Sequence, residues 1–547
     1  MVNLDTDQTD YEIDLILHDN PKIDATALAS HVAEAAGVAT DELEVMSNKI
    51  RLTANQDKLG ALAALDGINR IEEVREKTIF NDHACVILHT DTLFTTTGYR
   101  GNNQMVCVAD TGFDQGIAED SFGIKVHPAF DGRIEYLRSL WTVDDYKDQI
   151  GHGTHVCGSI CGSGIYNRSG TGTEINVNGT APGAKLMVQS LAKSVEGKGW
   201  IIDTPADLGT SLFSEPYELG IRIHNNSWGN KWKPKTGQFG YEADATAIDR
   251  FISDHPDFTV LVAAGNNAEN HGASQVGANA AAKNCITVGA SGTTRPNDGQ
   301  SYSPQTPAVS GITDTAIFSS RGPTLSTVDS NGKISLGRIK PDVVAPGVAI
   351  LSAASRLVTS NDRLRVRNGP SDDQDWLFMS GTSQATPLVA GCVALLREAL
   401  KDIGKEKPSS ALIKALLVNG AVNHSSSTGL GYDYEQGFGL VDIDKSIAMI
   451  RLSSFIEGGG RLETTKWDVP ALRLIQPVNV QWESEVLSLP NGPNRLVATL
   501  AYPDGPGALL QSDVNLIARA GDEERHGNMG SGAGFDRTSK SSFTFAS

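Results

Sequence analysis

The chain has 547 residues, more than one hydrophobic core normally serves, so two or three domains are expected. Apolar residues make up 39 % and charged residues 20 %, which excludes a disordered chain, and 56 Gly with 22 Pro but no strict period exclude a collagen-like one. Asp and Glu number 65 against 46 Lys and Arg, a formal charge of −19 without a basic stripe, which argues against nucleic acid or an anionic membrane as partner and serves solubility.

The opening MVNLDTDQTD has neither a basic n-region nor an apolar h-region, and no run is long and apolar enough for a membrane span. The chain as it stands therefore reads as intracellular, or as lacking its leader. Tyr11, Ile13, Leu15 and Leu17 alternate with charges as in a half-buried strand. Asp24 is placed to cap a helix bearing Leu28, Val32 and Ala35, with Gly37 ending it. A hairpin from Glu44 to Thr53 turning near Ser47-Asn48, a helix from Gln56 to Leu65 and a strand from Ile68 to Val74 complete a βαββαβ order, a ferredoxin-like small domain over residues 8–78. Lys77 to Ala84 reads as a polar linker.

Over residues 85–452 the pattern becomes strand, helix, strand. The apolar runs MVCVAD, KLMVQSL, IRIHNNSWG, FTVLVAAGN and CITVGAS end in small or polar residues, with a helix expected over Glu242 to Asp254. Such alternation predicts an α/β fold, a parallel sheet with helices on both faces and its site at the carboxyl ends of the strands. Residues 456–547 turn to short strands broken by Gly and Pro: ALRLIQPVNV, NRLVATLAYPD and SDVNLIARA. They read as a β-sandwich or jelly-roll domain, short and incomplete for its kind, with a long loop from His526 onward.

Cys85, Cys107, Cys157, Cys161, Cys285 and Cys392 sit mostly in small-residue apolar stretches, as buried thiols do. Six in a chain this long make no disulfide scaffold, and Cys157 and Cys161 lack the further ligands a zinc site needs.

Amide hydrolysis by serine needs a nucleophile, a base, a carboxylate that orients the base, and oxyanion donors. Asp110, in VADTGFD at a strand end, suits the orienting carboxylate, although Asp-Thr-Gly is also plain turn chemistry. His152, in GHGTHVCGS, titrates near neutrality and opens a helix with room beside it; His155 is its helical neighbour, but no third metal ligand accompanies the pair. Ser383, in SGTSQATPLVAGCVALL, sits in a helix's first turn with its backbone N–H free, and Ser380 competes for the simple N-cap role. Asn266, in LVAAGNN, offers an amide donor, or a turn residue. The chain order Asp, His, Ser is the order of subtilisin.

VADTGFD, GHGTHVCGS, NNSWG, AAGNN, FSSRGP, RIKPDVVAPG and GTSQATP together resemble the subtilisin-like (S8) serine proteases over about Asn103 to Val441, in family order. RIHNNSWG, FSSRGPT and GRIKPDVVAPG are most similar to the KP-43-type alkaline proteases, which carry a C-terminal jelly-roll domain. The resemblance implies a serine endopeptidase in which Asp110 orients His152, His152 is base and then acid, and Ser383 attacks the carbonyl. It implies an oxyanion hole of Asn266 and the Ser383 N–H. It places Ser227, Trp228 and Gly229 on the strand that pairs with an extended protein or peptide substrate, and Ala263, Ala264 and Gly265 on one wall of the primary specificity pocket. Gly197 to Gly199 would edge the other side. The N-terminal domain resembles the family's propeptide, implying a self-processing zymogen inhibited by its own prodomain, whose tail near Lys77 to His83 would thread the active site. No cofactor is required for this chemistry. Structural calcium is compatible with the family; metal ligands stay unassigned, with Asp504 and Asp513 the carboxylates that would contribute. The family is mostly secreted, which conflicts with the missing leader.

A catalytically dead scaffold on the same fold and an esterase or transpeptidase using the same serine are the competing readings. GHGTH argues against the acid-acting serine-carboxyl peptidases, which use Glu and Asp instead of His.

Overall fold

The computed structural model describes residues 10–18, 24–45, 49–73, 83–121, 123–142, 145–168, 173–230, 239–268, 274–293, 311–325, 327–328, 334–335, 337–358, 373–423, 432–452, 495–512, 514, 516–520, 523–528 and 542–546. The chain divides into two compact units, Met1–Thr78 and Ile79–Ser547.

In the first unit, β1 (Asp10–Leu17), α1 (Ala25–Ala36), β2 (Glu44–Val45), β3 (Lys49–Asn55), α2 (Leu59–Ala63) and β4 (Ile68–Glu73) follow in the expected order. The strands form an antiparallel sheet in the order β2-β3-β1-β4. Tyr11, Ile13, Leu15 and Leu17 are buried, as their period of two requires, and pack with Val32, Ile50, Leu52 and Leu62. Asp24 caps α1 by accepting from Thr26 N at 2.9 Å, and Gly37 ends it at φ 75°. The inward face of α1 is Ala25, Ala29, Val32, Ala33 and Ala36, so small residues let the helix lie close; Leu28 and Ala35 are only half-buried. The turn expected at Ser47-Asn48 lies outside the described residues.

The second unit is built on β5 (Met105–Asp110), β6 (Ile134–Ser139), β7 (Lys185–Ser190), β8 (Ile223–Asn226), β9 (Thr259–Ala263), β10 (Ile286–Ser291) and β11 (Val343–Pro346). They form a seven-stranded parallel sheet in the order β11-β10-β9-β8-β5-β7-β6. The five central strands β5 and β7 to β10 are buried almost throughout, because helices cover both faces, which is why their sequences run continuously apolar instead of alternating. α3 (His152–Cys161) and α5 (Thr382–Asp402) pack with the interior of the sheet, and α4 (Ala243–Asp254) buries Ala245, Ile248, Phe251 and Ile252 in a separate cluster with Val260 and Val262. An antiparallel pair, β12 (Ile350–Ala353) with β13 (Trp376–Met379), leads into α5.

The described C-terminal residues belong to this second unit. They form β14 (Arg495–Thr499) paired with β17 (Ser542–Ala546), and β15 (Ile517–Ala520) paired with β16 (Glu523–His526). The long loop expected from His526 onward is therefore interrupted: the alternating Ser-Phe-Thr-Phe-Ala closes an antiparallel pair with β14. ALRLIQPVNV lies outside the described residues.

Between these strands, Asp504 is fixed to the main body. Lys283 Nζ donates to Asp504 Oδ2 at 2.7 Å and to the carbonyls of Gly505 at 2.7 Å and Leu509 at 2.9 Å. Asp504 also accepts from the backbone of Gln511 at 3.0 Å and Ser512 at 2.9 Å, and its own backbone pairs with the Asn284 side chain in both directions. Both charged side chains are essentially excluded from solvent, at 1 % and 0 %. Asp504 is thus committed to an ammonium that neutralises it and to two backbone N–H groups, which argues against it as a calcium ligand. Asp513 lies outside the described residues.

Candidate active site

Asp110 ends β5, Ser227 follows β8, and Gly265 and Asn266 follow β9, three adjacent strands of one sheet. The carboxyl edge of the sheet thereby gathers residues that are far apart in sequence.

The Asp110 carboxylate is fully buried. Its Oδ1 accepts from Thr111 N at 2.8 Å and lies 2.7 Å from His152 Nδ1, while Oδ2 has no hydrogen-bond partner among the described residues. An N–H at Nδ1 facing that carboxylate leaves the lone pair on Nε2, the tautomer a general base needs. Burial opposes a charged imidazole, but the Asp110 charge, its hydrogen bond and the Asp148 charge outweigh it and hold His152 above its ordinary pKa. The His152 side chain keeps 21 % of its surface.

Glycine makes this pairing sterically feasible. A Cβ on Gly153 would come within 2.4 Å of Gly112 O, so the start of α3 could not lie against the turn after Asp110 with any other residue there. Gly153 N donates to Thr111 Oγ1 at 2.7 Å across the same contact.

Ser383 lies in the first turn of α5, where the helix N-terminus is electropositive. Its hydroxyl donates to Ser227 O at 2.8 Å instead of to His152. Such hydrogen bonds commonly tighten only when substrate is bound. Asn266 Oδ1 accepts from Thr382 N at 2.9 Å and from Thr382 Oγ1 at 3.0 Å, which orients the amide and leaves Nδ2 as the outward donor. Asn266 Nδ2 and Ser383 N lie 3.3 and 3.6 Å from the point where a Cβ on Gly381 would stand, so both donors border the same small space.

The two segments expected to hold substrate are tied together by residues 277–279. Gly277 N donates to Ala264 O at 3.1 Å, Ala278 N to Asn230 Oδ1 at 3.0 Å, and Asn279 Nδ2 to Trp228 O at 3.0 Å. Ala263 and Ala264 are buried, Trp228 is half-buried and Gly229 exposed. Behind Ser227, the Asn225 amide donates to its hydroxyl at 2.9 Å. Gly197 sits in the turn of a hairpin, Ala192–Val195 with Gly199–Ile202, and Gly199 opens its second strand, both exposed and at positive φ.

Thr382 and Asn279 escaped sequence reasoning. Thr382 stood inside a motif read for its serine, and a lone Asn after Val276-Gly277-Ala278 carries no signal without its partner 51 residues earlier.

The remaining candidates are structural. His155 is buried with Nε2 3.0 Å from both Ile350 O and Leu377 O, so it ties α3 to β12 and β13, and burial pushes its pKa down to about 3. All six cysteines are free and buried. Among the described residues no group of three His, Cys, Asp or Glu is disposed to hold a metal ion, and no helix is long and apolar enough to cross a membrane.

The model of the subtilase family, Peptidase S8, matches residues 101–439, and the chain belongs to that family. It is 29 % identical over 517 residues to the serine protease/ABC transporter B family protein tagD of Dictyostelium discoideum, covering 76 % of this chain and 27 % of that protein. It is 29 % identical over 319 residues to the serine protease AprX of Bacillus subtilis, covering 57 % of this chain and 62 % of that one. The crystal structure of fervidolysin from Fervidobacterium pennivorans matches with a TM-score of 0.43 at 22 % identity, over 81 % of this chain and 62 % of that chain. The chain thus spans about a quarter of the length of tagD.

Proposed function

We propose that the chain is a serine endopeptidase that cleaves peptide bonds through an acyl-enzyme, with Asp110, His152 and Ser383 as its triad. The observation that carries this reading is the 2.7 Å contact of His152 Nδ1 with a buried Asp110 at the end of β5. His152 Nε2 takes the Ser383 proton as Oγ attacks the scissile carbonyl. Asn266 Nδ2 and Ser383 N receive the charge that develops on the carbonyl oxygen. The imidazolium, stabilised by Asp110, then gives its proton to the leaving amine, and water repeats the sequence to release the acid.

The substrate backbone adds as an extended strand along Ser227, Trp228 and Gly229, with Ala263, Ala264 and Gly265 walling the primary pocket. A substrate N–H reaching Ser227 O would displace the Ser383 hydroxyl from that carbonyl and release it toward His152. The proposed chemistry needs no cofactor. Within the family, RIHNNSWG and GRIKPDVVAPG favour the KP-43 type.

The βαββαβ unit is assigned as a prodomain, and the C-terminal strands as part of a β-sandwich domain. The test is incubation of the purified chain alone and with internally quenched peptides. The reading requires cleavage within the peptides and conversion of the chain to a species beginning near Ile79 to Cys85. Ser383→Ala must lose both. Equal processing of Ser383→Ala without added protease would reject self-cleavage, and equal peptide hydrolysis would reject the serine.

A further inference from the structure

The site so far uses one buried carboxylate, Asp110. A second, Asp148, lies four residues before His152 and is also fully buried. Asp148 Oδ1 accepts from Thr111 Oγ1 at 2.7 Å, Gly151 N at 2.7 Å and Ile150 N at 3.3 Å. Its Oδ2 accepts from Thr154 N at 2.8 Å and Thr154 Oγ1 at 2.7 Å. Through Thr111 the carboxylate reaches the residue whose N–H holds Asp110; through Gly151 and Thr154 it holds the residues on either side of His152 and Gly153. The two halves of the Asp110–His152 pair are therefore joined twice, once directly and once behind, through a saturated carboxylate.

We propose that Asp148 is a positioning residue of the catalytic pair, fixing the spacing of Asp110 and His152 by fastening the turn after β5 to the first turn of α3, and placing a second negative charge beside the imidazole. The proposal rests on the reading of Asp110, His152 and Ser383 as a triad. A helix cap alone would need the contacts to Gly151 and Thr154, but not the one to Thr111 on a different strand end.

The charged and titratable groups around Asp148 are Asp110 and His152, Cys157 on α3, and Asp114, whose carbonyl accepts from Asp148 N at 2.9 Å. Asp114 is itself paired with Arg356, Nε to Oδ2 at 3.0 Å. Burial raises the Asp148 pKa and its hydrogen bonds oppose that rise, while its charge adds to the rise at His152. The sign follows: an uncharged residue at 148 makes His152 easier to deprotonate, so the acid limb of the rate profile moves to lower pH.

Three variants test this on the full chain, with kcat, KM and the pH profile read on one quenched peptide and folding checked by near-ultraviolet circular dichroism. Asp148→Asn should lower kcat by about 10²-fold, the scale of a small misplacement of reacting groups, with KM little changed and the acid limb displaced downward. Thr154→Val, which keeps the charge, should lower kcat with the limb in place, and Thr154→Ser should restore kcat. A folded Asp148→Asn with the parental acid limb overturns the proposal, as does Thr154→Val with the parental kcat. The Thr154 pair decides alone if Asp148→Asn does not fold. An inert parent chain would instead reject the triad reading and this inference with it, whereas an active parent with unaffected variants rejects this inference only.

Discussion

Asp110 and Asp504 are both buried and each holds a basic side chain at 2.7 Å, yet they have opposite characters. In the clamp, Lys283 has three oxygen acceptors and Asp504 three donors, with both side chains closed to solvent. At the carboxyl edge of the sheet, Asp110 Oδ2 is left without a partner among the described residues, and His152 keeps a fifth of its surface. The clamp is complete and has nothing left to react. The Asp110–His152 pair is oriented on one side and open on the other. The open pair keeps surface that the clamp lacks, and that surface, more than the strength of the contact, suits it to the proposed base role.

Substitution at the open pair should have the largest effect on turnover. Ser383→Ala or His152→Ala should lower kcat by about 10⁶-fold, a magnitude borrowed from subtilisin itself, with thermal stability near the parent's. Kinetics alongside a melting curve check both halves.

The closed pair should give the reverse pattern. Lys283→Met leaves Asp504 buried without its cation and should cost about 3–5 kcal/mol of stability, seen as a lowered denaturant midpoint. Lys283→Met combined with Asp504→Leu should recover much of that loss, because no orphaned charge remains. A single variant as stable as the parent would show that the clamp does not hold the C-terminal segment.

Asn266→Ala should lower kcat by roughly 10²–10³-fold, the loss known for the corresponding residue of subtilisin, with KM little altered. Thr382→Val should lose less, since it frees the amide to rotate without removing it.

The smallest effects concern pH. Because His152 is held above its ordinary pKa, kcat/KM should rise with pH along a limb centred above about 6.5. The protonated His152–Asp110 pair stabilises the fold below the unfolded pKa of His, and that contribution is lost as pH rises through the folded pKa, so activity appears as this stabilisation fades. His155 and the buried His224 of β8, both held at about 3 by burial, act in the other direction: the unfolded chain binds their protons first, so stability should fall as pH drops from about 6.5 toward 3. A urea series between pH 4 and 8 measures the second effect, and an inactive His152→Ala chain separates the first.

The positions of the candidate site residues were legible because they lie in short, glycine-bracketed segments. Asp110, His152, Asn266 and Ser383 each sit where a strand ends or a helix begins, and period and capping residues mark such places in sequence. The first unit was legible for the same reason, through the alternation of β1 and the Asp24 and Gly37 caps. What stayed hidden depends on pairing at a distance. Lys283 and Asp504 are 221 residues apart, and neither context hints at the other. Asp148 looks like any loop aspartate until Thr111 is folded against it. The Ser542–Ala546 strand follows a glycine-rich stretch, and only its partner Arg495–Thr499 makes it a strand.

The most direct test is mass spectrometry of the purified chain after exposure to a fluorophosphonate serine probe, with His152→Ala in parallel. The account predicts one adduct, on Ser383, lost in His152→Ala, and appearing before or only after the N-terminal unit is clipped away. No adduct on Ser383 in either the intact or the clipped chain would contradict it and leave a subtilase fold without the chemistry.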